Sequence, residues 1–465
     1  MGVVDPSSSL TRRALLGRLG LAGLAMGATA CGPLGRRADP SGDPRTLQVW
    51  TLDLAPRFNA YMAEVLAAWG RQRPPGEPME VRWTDVPWSS VERKLLASVY
   101  ARTAPDLVNL NPLFGAGLAS RGGLLDLTSL LPPNAAAAYL PGVWSSGCLG
   151  RQPFAIPWYL TTRLTMANGR LLRQAGLAAP PRTWEEVPAY AEAIHRRTGR
   201  YALFVTVVPE DSAELLESLV QMGVRLLDDQ RQAAFWSPAG RRAFAFWTEL
   251  YRRGLLPREV VSQGYRRAIE LYQAGDLAQV ASGPDFLRNL QTNAPGIAAV
   301  TTPHRPLSGP SGATNVAVMN LVVPRNSPLP EAAVDLALFL TSGANQLSFA
   351  EAARVLPSSR VALKEMERRL RTATVVDRAE ALVRDARLLA LRSLETARVL
   401  VPPTPGLKRL QTILYTQLQR AMLGQAPSDD ALETAAREWN RYAAARWPTE
   451  AGQAPGGEAS RAPSG

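Results

Sequence analysis

TLQVWT at residues 46–51, FNAYMAEVLAAWGRQR at 58–73, MEVRW at 79–83 and DLVNL at 106–110 carry the reading that decides the fold. The first is an apolar run short enough for a buried strand, and the second repeats apolar residues at Phe58, Tyr61, Met62, Val65, Leu66 and Trp69, one face of a helix. The third alternates as a strand, Val91, Leu95, Leu96 and Val99 then mark a second amphipathic helix, and the fourth is a short buried strand. Strand, helix, strand, helix, strand predicts an α/β fold with a parallel sheet, because parallel neighbours need a crossover. Ligands of such sheets lie beyond the carboxyl ends of the strands, which here carry Trp50, Thr51, Asn109 and Asn111.

Downstream the alternation continues. Residues 182–197 and 237–253 read as helices with caps at Thr183 and Ser237, and 277–281 as a strand ending at Ser282-Gly283-Pro284. Residues 313–323 read as a pair of strand segments, and 329–339, 344–353 and 407–423 as helices. Residues 449–465, rich in Gly, Pro, Ala and Ser, hold too few large apolar side chains to offset ordering and read as a disordered tail.

Upstream, residues 1–31 read as an export signal: Arg12-Arg13, an apolar run from Leu19 to Ala30, then Cys31-Gly32. The run is too short and too rich in Gly and Ala to stay in a bilayer. Thr11-Arg12-Arg13-Ala14-Leu15-Leu16 is similar to a twin-arginine motif, and an ordinary secretory route fits as well. Ala28-Thr29-Ala30-Cys31 resembles a lipobox with Ala in place of the usual Leu, and also suits the ordinary signal peptidase. Lipidation at Cys31 is the favoured reading, since the cysteine directly follows the apolar run and a Pro/Gly/Arg-rich tether, residues 32–45, follows it.

Composition narrows the function. A chain of 465 residues, 46% hydrophobic, can bury more than one core. The net charge of +12 comes from 49 Arg and 3 Lys scattered along the chain, which suits solvated helix faces and not a nucleic-acid patch. Two cysteines, Cys31 and Cys148, cannot supply a disulfide framework. The two histidines, His195 and His304, have no partner at metal-ligand spacing, and no nucleophile elbow, phosphate loop or dinucleotide fingerprint is present. No cofactor or metal is expected. Paired carboxylates facing across a cleft, as a glycan-acting enzyme needs, are invisible to sequence alone.

The order of local motifs resembles the family 1 extracellular solute-binding proteins of sugar ABC transporters, over nearly all of residues 46–445. Within 328–357, Leu329-Pro330-Glu331-Ala332-Ala333, Phe339-Leu340-Thr341-Ser342, Asn345-Gln346 and Val355-Leu356-Pro357 carry the likeness most specifically. Ala104-Pro105-Asp106-Leu107-Val108, Ala155-Ile156-Pro157-Trp158-Tyr159, Thr183-Trp184-Glu185-Glu186 and Ser282-Gly283-Pro284 support it in order. The resemblance implies a two-lobed periplasmic binding protein type II fold with a ligand cleft between the lobes. Lobe 1 is expected to hold residues 46–158 and 315–341, lobe 2 residues 159–314 and 342–448, with crossings near 159, 314 and 342.

It also implies ligand contacts. Trp158 and Tyr159 match a segment that stacks on solute in the family, with packing at the hinge as the competing role. Trp50, Thr51 and Asn109 occupy cleft-lining places, although Trp50 also suits a core and Asn111-Pro112 suits a turn. Gly283 precedes a position that is often Trp in the family and is Asp285 here, which exchanges a platform for a carboxylate. Gly312 and Asn315 lie where backbone approaches ligand, and glycine there also simply permits a turn.

The implied function is an extracytoplasmic receptor of an ABC importer that captures a sugar or related polyol and delivers it to a membrane permease. A solute sensor for a signalling partner uses the same residues, and a secreted glycan-acting enzyme is the third reading. The protein is expected to be a monomer at the periplasm or the outer face of the cytoplasmic membrane, held by a lipid anchor. Fractionation tests the anchor: Cys31→Ala protein should leave the membrane fraction with solute binding intact, and its retention there refutes lipidation as the attachment.

Overall fold

The computed structural model describes residues 46–74, 79–209, 211–401 and 404–447; the export signal, tether and tail read above lie outside them. The opening segments form the predicted unit. Thr46–Leu52 pairs in parallel with both Glu80–Val86 and Leu107–Leu110, with Leu47, Val49, Leu107 and Val108 fully buried between covered faces. Helix Asn59–Arg71 lays Met62, Val65, Leu66 and Trp69 on this sheet, and the Trp69 indole N–H donates to Asp335 Oδ2 at 2.9 Å, tying it to helix Pro330–Leu340.

The sheet grows to six strands in the order Leu356–Pro357, Ala155–Thr161, Ala317–Val322, Leu107–Leu110, Thr46–Leu52, Glu80–Val86. Its parallel half is joined to an antiparallel half, because Ala317–Val322 runs against both Leu107–Leu110 and Ala155–Thr161. A second sheet of three strands, Gln279–Ser282, Leu164–Asn168 and Thr301–His304, is antiparallel throughout.

Helices surround this second sheet. Trp184–Glu186 opens with a capping box between Thr183 and Glu186 and leads into Val187–Thr198, and Ser237 Oγ accepts from Gly240 N to start Pro238–Arg252. Trp247, Tyr272, Tyr415 and Trp439 are fully buried in this core, to which Leu407–Met422 and Ser428–Arg446 contribute. A separate core around Leu47, Trp69, Leu107 and Phe349 belongs to the first sheet.

Each passage between sheets is short. The chain leaves the first sheet at Thr161 and enters the second at Leu164, and it returns between Thr314–Asn315, which pairs with Ala397–Arg398, and Ala317. The third passage lies later than the position near 342 read from sequence. Helix Gly343–Ala353 stays on the first sheet through Phe349, and Leu356–Pro357 is that sheet's outermost strand. The reason is aromatic: Phe349 stacks on Trp158 with centroids 4.7 Å apart and meets Phe58, Tyr61 and Tyr159 within 5.8 Å.

That cluster sets a prediction. Phe349→Ala leaves a cavity beside two passages, and should cost about 3–5 kcal/mol in urea unfolding. A loss under about 1 kcal/mol would show that the cluster does not hold this part of the fold.

Candidate functional site

The two short passages bring Thr161, Thr162 and Arg163 against Asn315 and Ala317, and a cavity of about 460 Å3 opens beside them. Helix Glu214–Gln221 forms one wall. Its Leu215, Leu216 and Leu219 are buried in the second core, while Glu214 and Glu217, three residues apart, share the face on the cavity. The second sheet adds Gln279, Val280 and Ala281, and the nearly buried Trp184 and Phe204 back the lining.

Polar contacts make this wall a network. Arg163 Nη1 stands 3.7 Å from Glu214 Oε2, an ion pair too long for a hydrogen bond. Asn315 Nδ2 donates to Glu217 Oε1 at 2.7 Å, and its Oδ1 accepts from Leu400 N at 3.1 Å. Gln221 accepts from the Trp184 indole N–H at 2.7 Å and donates to Leu307 O and Ala313 O, each at 3.0 Å, fixing the aromatic against the wall. The Arg163 guanidinium lies 5.5 Å from the Tyr265 ring centroid, and Tyr265 donates to Ala281 O. Two buried polar atoms of the lining, Arg163 Nη1 and Gln279 Oε1, have no hydrogen-bond partner.

Burial sets the protonation chemistry. It pushes the Glu214 carboxyl up to about 7, against the pull of Arg163 and with the repulsion of Glu217. Burial raises Glu217 in the same way, with Arg163 again opposing. Burial works against the Arg163 cation, but Glu214 and Glu217 outweigh it and hold the guanidinium above its ordinary value. The wall therefore holds one cation and two carboxyl groups, both raised by burial.

Of the positions read from sequence, Gly283 and Asn315 line this cavity. Trp158 is fully buried in the stack with Phe349, and Tyr159 is 8% exposed beside it, so both serve the packing of the passages and neither lines the cavity. Trp50 packs half-buried against the first core, and Thr51 is buried, donating to Asp85 Oδ1 and accepting from the Trp83 indole N–H, both at 2.7 Å. Asn109 is fully buried and donates to Asn320 O at 3.1 Å. Asn111 caps helix Pro112–Ala119 by accepting from Phe114 N, and exposed Gly312 takes a turn conformation at φ 67°. Asp285 lies just beyond the lining and pairs with Arg354 across 3.9 Å.

Arg163, Glu214, Glu217, Gln279, Trp184 and Phe204 escaped the sequence reading. Arg163 follows Tyr159 by four residues, a position the crossing could have marked, but its residue type is common throughout the chain. Glu214 and Glu217 share a helical face with no turn or motif to distinguish them from solvated acids.

A second recess of about 340 Å3 separates the lobes away from these passages. Glu92 and Phe114 line it from the first lobe, Lys408 and Trp447 from the second, and Lys408 Nζ bridges to Glu92 at 2.9 Å. Among the described residues no group of three or more His, Cys, Asp or Glu side chains is placed to hold a metal.

Known proteins resemble this architecture. Residues 53–347 match the family of bacterial extracellular solute-binding proteins. A candidate oligosaccharide periplasmic-binding protein from Synechococcus sp. MITs9220 is 64% identical, with a TM-score of 0.80 over 86% of this chain and 100% of that one. Its zinc complex gives 65% and 0.78. The sugar-binding protein MalE of Xanthomonas citri shares the fold at 24% identity and a TM-score of 0.70, over 86% and 98% of the two chains. An uncharacterised lipoprotein of Streptomyces antibioticus is 29% identical over 205 residues, 43% of this chain and 44% of that relative, so the chain spans less than half its length. A family match across more than half of the chain, with a relative 64% identical over its whole solved length, settles the family: the chain belongs to the bacterial extracellular solute-binding proteins.

Proposed function

We propose that this protein is an exported receptor that captures a sugar or related polyol and presents it to an ABC permease without changing it chemically. The observation that carries the reading is the cavity at the lobe crossings, whose lining sets the Glu214 and Glu217 carboxyl groups and Arg163 beside Asn315 and the Thr161, Thr162 and Thr165 hydroxyls. A sugar matches such a wall, because its hydroxyls can donate to the carboxyl groups and accept from Arg163 and the threonine hydroxyls. The relatives agree in kind: one is described for oligosaccharides, another is a diacetylchitobiose binding protein from Streptomyces coelicolor, 23% identical over 48% of this chain.

The carboxyl arrangement favours binding over hydrolysis. Glycoside cleavage needs two carboxyl groups flanking the scissile bond from opposite sides, whereas Glu214 and Glu217 stand on one helical face. Solute held between passages and lobes stabilises the closed form, which a permease then recognises. The lipid anchor at Cys31 and the monomeric state belong to this proposal. So do contacts from Gly283 and Asn315, while Trp158 and Tyr159 act through the hinge.

Calorimetric titration of mono- and oligosaccharides and polyols tests the receptor. Arg163→Ala should weaken the best ligand by about 10- to 150-fold, the range of a charge-assisted hydrogen bond. Unchanged affinity in that variant removes the cavity from the binding reaction.

Stability should follow Glu214. The unfolded carboxyl ionises near its ordinary 4.5 and the folded one at about 7, so the folded state holds more protons between them. Stability is therefore full below about 4.5 and falls as pH rises to about 7, by roughly 3 kcal/mol from this group. Urea titrations of Glu214→Gln against the parent should show the variant gaining relative stability over this interval; a constant difference contradicts the raised ionisation.

A further inference from the structure

We infer that the cavity selects an uncharged, donor-rich solute and discriminates against the phosphorylated or carboxylated form of the same compound. The inference rests on the receptor reading above and goes beyond it, since a sugar, a glycerol phosphate and a sugar acid are otherwise equal candidates.

The argument begins with a count of bonding capacity. Among the described residues no hydrogen bond reaches the Glu214 carboxyl, whose only partner is Arg163 at 3.7 Å, and Asn315 occupies one oxygen of Glu217. Gln279 also lines the cavity, but it is 4% exposed and its unpartnered carbonyl oxygen is buried, so the acceptors open to a solute are those of Glu214 and Glu217. Against these acceptors the charged donors are those of Arg163 alone. A solute satisfies the wall by bringing hydroxyl or N–H donors, and an anionic group brings none.

Charge gives the same direction. With both carboxyl groups ionised, one guanidinium faces two negative charges, and Arg163 is already engaged electrostatically by both. A phosphate placed against Arg163 would compete with Glu214 for the cation and leave that largely buried carboxylate unpaired, which is unfavourable unless it takes up a proton. Protonation of Glu214 relieves this only at lower pH. Arg163, Glu217, Tyr265 and Tyr415 are the ionisable groups acting on Glu214, and of these only the neighbouring Glu217 is a second carboxyl group.

Matched pairs test the inference on the full chain at pH 8: glucose with glucose 6-phosphate and glucuronate, glycerol with glycerol 3-phosphate, and maltose with maltose 1-phosphate. In the pair whose neutral member binds, the anionic member should be at least tenfold weaker, and the ratio should shrink at pH 6 and in Glu214→Gln and Glu217→Gln. Equal or tighter binding of an anionic member overturns the charge selection while leaving a receptor for sugar derivatives standing. Absence of binding by every neutral and anionic probe overturns the sugar-receptor reading and this inference with it. Circular dichroism of the two Gln variants confirms that the comparison is made on folded protein.

Discussion

The antiparallel pairing of Ala155–Thr161 with Ala317–Val322 is the constraint on which the rest of the molecule depends. Backbone hydrogen bonds hold the two strands side by side at the point where both leave the first sheet, so Thr161 faces Ala317 in register. Neither passage has slack: Thr162 and Arg163 alone separate one strand from the next, and Thr162 Oγ1 donates to Asn315 O across the gap at 3.2 Å. The cavity wall is thus placed by sheet register, and a slip of one residue would invert the side chains of both strands. Behind the pairing, the Trp158, Tyr159 and Phe349 stack fills the space that would otherwise let the strands shift.

The polar interior shows where the fold tolerates cost. Asn109 and Asn320 are almost fully buried on neighbouring strands; Asn109 Nδ2 reaches Asn320 O, while Asn109 Oδ1 and both side-chain polar atoms of Asn320 have no partner. Glu214 and Glu217 are a second such place, with an acid pair on an apolar helix flank. The two differ in access. The asparagines sit inside a sheet, where only packing can respond, whereas the acids border a cavity that a solute can fill. Unsatisfied groups beside accessible space suit recognition, because a ligand that satisfies them is favoured by the whole difference.

The legibility of the sequence followed the range of each signal. Elements encoded by local periodicity and caps were readable: Thr46–Leu52, the helix at Asn59–Arg71, the Thr183 box and the Ser237 cap all stand within a few residues of where the pattern puts them. The end of the excursion through helix Gly343–Ala353 was not, because Phe349 is held by Phe58 and Trp158, far away in sequence. The site was legible in part for a related reason: Gly283 and Asn315 line the cavity, whereas Trp158 and Tyr159, for which the family resemblance offers stacking on solute or packing at the hinge, fill the crossing. Only the folded chain distinguishes Arg163 from its many counterparts, by bringing it to Glu214 and Tyr265.

Among the described residues, the ion pairs that join the lobes are few and exposed. Lys408 with Glu92, Arg354 with Asp285 and Arg369 with Glu351 each join an element of one lobe to an element of the other, and all six side chains are between 38% and 53% exposed. Ion pairs in such settings contribute about 0–1 kcal/mol each and weaken with salt. Three of them can bias an equilibrium but cannot shift it from mostly open to mostly closed, which takes about 5.5 kcal/mol. The larger part must come from solute bonded on both sides of the passages. Weak rim pairs and unsatisfied groups in the cavity are therefore complementary features: the rim leaves the lobes free to part, and the cavity makes their meeting conditional on a ligand.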